Sequence, residues 1–484
     1  MAAFLEAWRD PDRAPASLTT VPDEILLNIV DALITSSLDD ETPGTATLPA
    51  NPHDPWWSDP LYNLHLTSKR FYDCFEPYVY VNVGLYSDYA VKSFVAKLLK
   101  DPSIGYAVKR IEFMSQDLAI VDLGNFMDYF LRLSSAELLN SVRLEGTGLD
   151  CVKDLGVSNP SAELGLIMML TPNLQTFLLN GSVYMDPNIA RNQIGTWNYD
   201  QLRSPHGKAM KGIALGESTF TRSALTVTNT FRALKNITIC LDGIVMADLT
   251  PIFALPSLRR FAGFGRLSGK QGDDTACAVP KSSSNITSLS LKRFYAGMDN
   301  LKNLVEGCKR LEELDLHIPY TEDDIDVHHL CRIGRHHFES LRLLGLDFYS
   351  TVHGSLGNLG DLKDFKLLER VHLPPMAIAQ GLDSQPQFNL ATQLPLHVTA
   401  VDLYGYSTED DMVDLPMMFI TQLNLLATLW ESLQEPIQPV ARTVLVHESA
   451  FGTYFIDGQD VDQLDHDFRL AGATLTVCDD FIDL

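Results

Sequence analysis

A spacing of apolar residues recurs along most of this chain and limits what the chain can fold into. Three apolar side chains at positions 0, 3 and 5 appear as Val108/Ile111/Phe113, Leu139/Val142/Leu144, Leu174/Phe177/Leu179, Leu234/Ile237/Ile239 and Ile286/Leu289/Leu291. They continue as Leu311/Leu314/Leu316, Leu341/Leu344/Leu346, Leu368/Val371/Leu373 and Val398/Val401/Leu403. Weaker copies sit at Met210/Ile213/Leu215 and at Leu258/Phe261, where Gly263 takes the third place. Successive starts are roughly 24 to 36 residues apart, a period that signals stacked supersecondary units. In a strand, positions 3 and 5 share a face and positions 2, 4 and 6 share the opposite one. Each copy therefore predicts a short strand with one buried face, followed by a segment that returns the chain to the next strand.

Helical segments fit between and after the strands. Thr321-Glu-Asp-Asp324 and Thr408-Glu-Asp-Asp411 each follow a strand leucine and have capping-box form, so their acids are accounted for by helix starts. Beyond Leu403, the pattern predicts a helix near Met417 to Leu433, a strand at Thr443 to Val446, a helix near Asp460 to Leu470 and a final strand at Thr474 to Cys478. We expect these to cap the end of the array.

The N-terminal region has a different period. Ile25, Leu26, Ile29, Val30, Leu33 and Ile34 form one stripe of a helix, with Pro22 in its first turn and Asp23 and Glu24 at the positive end of its dipole. Residues 36–58 contain four prolines, four acids and neither Lys nor Arg, and read as a disordered, solvated insertion. Leu61, Leu64, Phe71, Phe75 and Tyr78 then resume helical spacing. A module this small leaves an apolar face that either docks another protein or packs on the rest of the chain.

The run Val21-Pro22-Asp23-Glu24-Ile25-Leu26 with Ile29 and Leu33, followed by Leu64-His65-Leu66-Thr67-Ser68-Lys69-Arg70-Phe71, resembles an F-box of the kind common in filamentous fungi. The resemblance covers about residues 18–83. It implies a Skp-type adaptor as partner, and through it a cullin, contacted by Val21, Pro22, Glu24, Ile25, Ile29, Leu33, Leu66, Ser68 and Phe71. The remainder, residues 88–484, resembles the degenerate leucine-rich-repeat array of fungal F-box proteins. The expected fold class is thus α/β: a small N-terminal helical F-box-like module followed by a leucine-rich-repeat solenoid, a right-handed α/β horseshoe with a C-terminal cap.

Together the two parts imply the substrate-recognition subunit of a Skp-cullin-F-box ubiquitin ligase, in which the array binds a protein substrate. The alternative is a non-catalytic repeat scaffold not coupled to ubiquitin ligation. The expected substrate surface is the outward strand set Arg110, Glu112, Arg143, Glu145, Glu313, Asp315, His317, Asp347, Arg370, His372, Asp402 and Tyr404. No cofactor, metal or catalytic residue is expected.

Composition excludes several other classes. With 37 Lys and Arg against 62 Asp and Glu, a net charge of −25 opposes nucleic-acid binding. No run of 18 apolar residues and no leader pattern is visible, so we expect neither a membrane partner nor secretion, and a cytoplasmic or nuclear location. The seven scattered cysteines suit buried thiols, and the N-x-Ser/Thr triplets at Asn180, Asn236 and Asn285 read as accidental. His328-His329-Leu-Cys331 with His336-His337 matches no zinc spacing, and Gly263-Phe-Gly265-Arg-Leu-Ser-Gly269-Lys270 fails as a phosphate loop, with three residues instead of four between Gly265 and Gly269 and Gln271 where Ser or Thr is needed. No G-x-S-x-G or H-E-x-x-H sequence occurs.

Overall fold

The computed structural model describes residues 78–85, 88–114, 170–180, 233–241, 252–266, 279–295, 298–318, 332–348, 361–374, 389–403, 415–433, 442–447 and 458–478. It also describes the isolated residues 26, 69, 167 and 249. These form an α/β architecture built on one sheet of 12 strands, all parallel, whose spatial order is the chain order.

The strands are β1 (Asn82–Leu85), β2 (Arg110–Met114), β3 (Thr176–Asn180), β4 (Asn236–Cys240), β5 (Arg260–Arg266) and β6 (Ser288–Tyr295). They continue as β7 (Glu313–Ile318), β8 (Leu343–Phe348), β9 (Arg370–Leu373), β10 (Ala400–Leu403), β11 (Arg442–His447) and β12 (Ala473–Cys478). Described helices on the connections are α1 (Asp88–Lys100), α2 (Ser103–Ala107), α3 (Met298–Gly307), α4 (Leu390–Gln393), α5 (Leu415–Ser432) and α6 (Gly458–Leu470).

The apolar spacing explains the register. Ile111, Phe177, Ile237, Phe261, Leu289, Leu314, Leu344, Val371 and Val401 are mutual partners along one line across the sheet, so every position 3 falls in a single column. This column and those of positions 0 and 5 are buried, with Val108, Ile286, Leu311, Leu314 and Leu403 all at 0% exposure. Val95 and Leu98 of α1, Leu304 of α3, Leu426 and Trp430 of α5 and Phe468 of α6 join the same apolar cluster. The described helices thus lie against one face of the sheet.

The turn before each strand ties it to the next. From Val81 to Glu369, the carbonyl at position 1 accepts the amides of positions 1 and 2 of the following unit, at 2.7–3.1 Å. Lys109, Gln175, Lys235, Arg259, Thr287, Glu312 and Arg342 form the interior of this stack. A carbonyl has two lone pairs, so one acceptor satisfies two amides that would otherwise be buried without partners.

β2 pairs directly with β3, and β3 with β4. The copies at Leu139/Val142/Leu144 and Met210/Ile213/Leu215 lie outside the described residues. Two expectations need correction. The segments after Leu403 have the predicted helix and strand types, yet β11 and β12 extend the ladder in register, with Val444 and Leu475 in the position 3 column. They are two further units of the sheet as well as its end. β1 was missed: Tyr80, Val83 and Leu85 repeat the spacing, and the sheet begins ahead of position 88.

The weak copy in β5 has a packing cause. The place of a position 5 side chain is taken by Leu241, at 0% exposure, whose Cδ1 would lie 2.7 Å from a Cβ on Gly263. Gly263 and Gly265 are strand residues, and Gly265, at φ 104°, marks the register shift between Phe264 and Arg266. Gly472, at φ 68°, turns the chain out of α6 into β12, a conformation that costs glycine little. Completing the repeat with Gly263→Leu should therefore destabilise the protein by about 1–3 kcal/mol through overpacking, read as a lower urea midpoint with an unchanged m-value.

Candidate functional site

With the helices on one face, the outward columns of the sheet carry the polar side chains. The position 2 column runs Asn82, Arg110, Thr176, Asn236, Arg260, Ser288, Glu313, Leu343, Arg370 and Ala400. The position 4 column includes Glu112 on β2 and runs Ser290, Asp315, Gly345, His372 and Asp402 over β6 to β10. Most of these residues are half-buried, because neighbouring strands lie only about 4.8 Å apart and their side chains lean on one another.

Over β6 to β10 the side chains form two polar pairs on either side of Gly345. Ser290 Oγ donates to Asp315 Oδ2 at 3.1 Å, while Asp315 Oδ1 lies over Gly345, where a methyl group would overlap it. Beyond that glycine, His372 Nε2 stands 2.7 Å from Asp402 Oδ2, with the two side chains 12% and 19% exposed. Glycine at position 345 thus leaves a gap between a Ser–Asp pair and a His–Asp pair. Leu343 and Ala400, both buried at 7% exposure, add apolar ground in the adjoining column.

The expected substrate residues separate into two groups. Glu313, Asp315 and His317 on β7, Asp347 on β8, Arg370 and His372 on β9 and Asp402 on β10 share four adjacent strands, with His317 and Asp347 in register. Arg110 and Glu112 lie on β2, five strand steps from β7. Tyr404 lies outside the described residues. So do Arg143 and Glu145. The adaptor residues Val21, Pro22, Glu24, Ile25, Ile29, Leu33, Leu66, Ser68 and Phe71 all fall outside the described residues, as does the 36–58 insertion. Leu26, from the first-helix stripe, is helical and buried at 3% exposure, and Lys69 is helical and exposed.

Selection by charge and aromaticity missed Ser290, Asn236 and Thr176, which are neutral, and Arg260, which sits in the weak copy. Asn236 Nδ2 donates to Thr176 Oγ1 at 3.1 Å, and Asn285 Nδ2 donates to Pro256 O at 2.9 Å. These asparagines join neighbouring units. The signal that could have found Ser290 and Arg260 is their column, read after the register is known.

The remaining candidates have packing roles. His337, at 3% exposure, accepts from the Leu311 amide through Nδ1 at 3.3 Å, and its Nε2 meets Val305 O at 2.9 Å. Both ring nitrogens are occupied, so neither is placed for a metal; His328, His329 and Cys331 lie outside the described residues. Cys308 is a buried free thiol pushed up to about 12 by desolvation, and its Sγ donates to Leu304 O at 3.4 Å. Among the described residues no group of three or more His, Cys, Asp or Glu is placed to hold a metal ion, and no helix is long and apolar enough to cross a membrane. No family model matches the chain, and no curated protein matches it.

Burial lowers the His337 pKa below its usual value, the Val305 carbonyl partly opposes this, and His336 beside it lowers it further. The unfolded chain therefore binds this proton more readily than the folded one. The stabilisation is complete above the unfolded value of about 6.5 and is lost as pH falls through the folded pKa. Urea midpoints measured from about pH 7 to about pH 5 should decline more steeply for wild type than for His337→Gln; equal slopes would assign the acid sensitivity to other groups.

Proposed function

We propose that this chain is the substrate-recognition subunit of a Skp-cullin-F-box ubiquitin ligase. In this reading an F-box-like module at residues 18–83 holds the adaptor, and a leucine-rich-repeat solenoid holds a protein substrate. The observation that carries it is the long parallel ladder whose described helices lie against one face while the other presents in-register polar side chains. A row of this kind offers a partner segment regularly spaced contacts across many strands, and stacked-repeat proteins bind partners on such extended surfaces. The pairs Ser290–Asp315 and His372–Asp402 support the same reading, since the groups of each pair hold one another in place before any partner arrives.

The link to ubiquitin ligation rests on Pro22, Ile25 and Ile29 followed by Leu66, Ser68 and Phe71 in F-box-like order. On this proposal the chain performs no bond chemistry. Holding a substrate lysine beside a charged conjugating enzyme raises the effective concentration of the reacting groups.

Affinity purification of wild type and of Pro22→Ala/Ile29→Asp with a Skp-type adaptor tests the reading. Recovery with wild type and loss of at least about tenfold with the variant is expected, since Ile29→Asp places a charge in an apolar contact. Absence of adaptor from the wild-type preparation would leave a free-standing repeat scaffold as the better account.

A further inference from the structure

We propose that the turn edge of β2 to β5 is a docking surface for an extended acidic segment of a partner protein. The proposal rests on the reading of the sheet as a protein-binding array and names the chemistry of what binds there. Its basis is a local reversal of charge. At positions 1, 2 and 4 of these four strands stand Lys109, Arg110, Lys235, Arg259 and Arg260, with Glu112 as the single acid, so 5 − 1 = +4 in a chain whose net charge is −25. Lys109, Lys235 and Arg259 are exposed, while Arg110 and Arg260 are half-buried.

The fold places these cations on a grid. Lys109, Gln175, Lys235 and Arg259 are consecutive members of the turn stack, and Arg110, Thr176, Asn236 and Arg260 are consecutive register partners beside them. At about 4.8 Å per strand, Lys109 and Lys235 are about 10 Å apart, and Arg259 is about 5 Å further on. An extended peptide advances about 3.3 Å per residue and turns alternate side chains to one face, so acids two to four residues apart, about 7 to 13 Å, bracket the spacing of the two lysines, and a further acid on that face meets Arg259.

The row is partly ordered in advance. Arg259 Nη1 donates to Pro256 O at 3.0 Å and to Leu258 O at 2.9 Å, which fixes a guanidinium whose five N–H donors exceed what these two carbonyls accept. The Asn236–Thr176 bond holds the neutral residues between the cations.

Two features restrict the occupant. At positions 1, 2 and 4 of β7 to β10 the acids Glu312, Glu313, Asp315, Glu369 and Asp402 outnumber Arg342 and Arg370, so 2 − 5 = −3, and that end repels an acidic segment. The net charge of −25 opposes both a second copy and a long polyphosphate backbone, whose binding needs many cations. A short acidic stretch confined to β2–β5 meets neither obstacle.

The test is fluorescence anisotropy on the full chain, with a labelled alternating Glu/Asp decapeptide and a labelled RNA decamer as probes, from about 50 to about 200 mM NaCl. Expected is peptide binding that weakens with salt and falls at least about tenfold in Lys109→Glu/Lys235→Glu, with a smaller loss in Lys109→Gln/Lys235→Gln and none in Lys366→Glu, an exposed lysine outside the row. Four results would each overturn it: no peptide binding, equal binding by the reversal and neutral variants, tighter binding of RNA, or a dimer that the reversal dissolves. Adaptor recovery on the same preparations separates the two proposals. Adaptor without peptide binding defeats this inference alone, and peptide binding without adaptor defeats the ligase reading alone.

Discussion

The carbonyl at position 1 of each turn, shared by two amides of the next unit, is the contact on which the rest of the structure depends. It recurs from Val81 to Glu369 and fixes where each strand begins relative to its neighbour. Once those starts are aligned, positions 0, 3 and 5 must stack in columns, because side chains in a strand alternate between faces. A slip of one residue would carry Leu314 and Leu316 to solvent and bring Glu313 and Asp315 into the core, at a cost no short strand could offset.

The same contact explains why the chain tolerates large differences in connection length. β2 and β3 are adjacent in the sheet although Met114 and Thr176 are far apart in sequence, while β8 and β9 are joined by a much shorter connection. Loop closure grows costlier only slowly with length, so a long insertion is compatible with the ladder if its ends return to the turn hydrogen bonds.

Much of the fold was legible because apolar spacing and burial express the same physics. The triplets at Leu311, Leu341 and Leu368 predict strands that are present, in order and buried. What the sequence could not show is which strands become neighbours: β2 pairs directly with β3 although Met114 and Thr176 are far apart in sequence. β1 was hidden because Tyr80, which occupies position 0, is aromatic with a polar tip. Gly263 looked like decay of the repeat, but it marks where Leu241 enters from the next residue beyond β4. The polar face was only partly legible, since charge flags Asp315 and His372 but not Gly345, whose missing side chain shapes the gap between them.

The face also has a direction. Cations gather at the β2–β5 turns, and carboxylates with two histidines gather over β7 to β10, so a partner lying along the sheet meets opposite fields at its two ends. That direction depends on β2 to β5 being contiguous. The most direct measurement is therefore a disulfide between Arg110→Cys and Thr176→Cys, register partners on β2 and β3, formed under mild oxidation and mapped by peptide mass spectrometry. Adjacent strands put the two Cα atoms about 4.8 Å apart, within bridging range, and the crosslink should form in high yield in the folded protein. A strand between them would separate the Cα atoms by about 10 Å, and failure to crosslink in the folded protein would contradict the ladder on which this account rests.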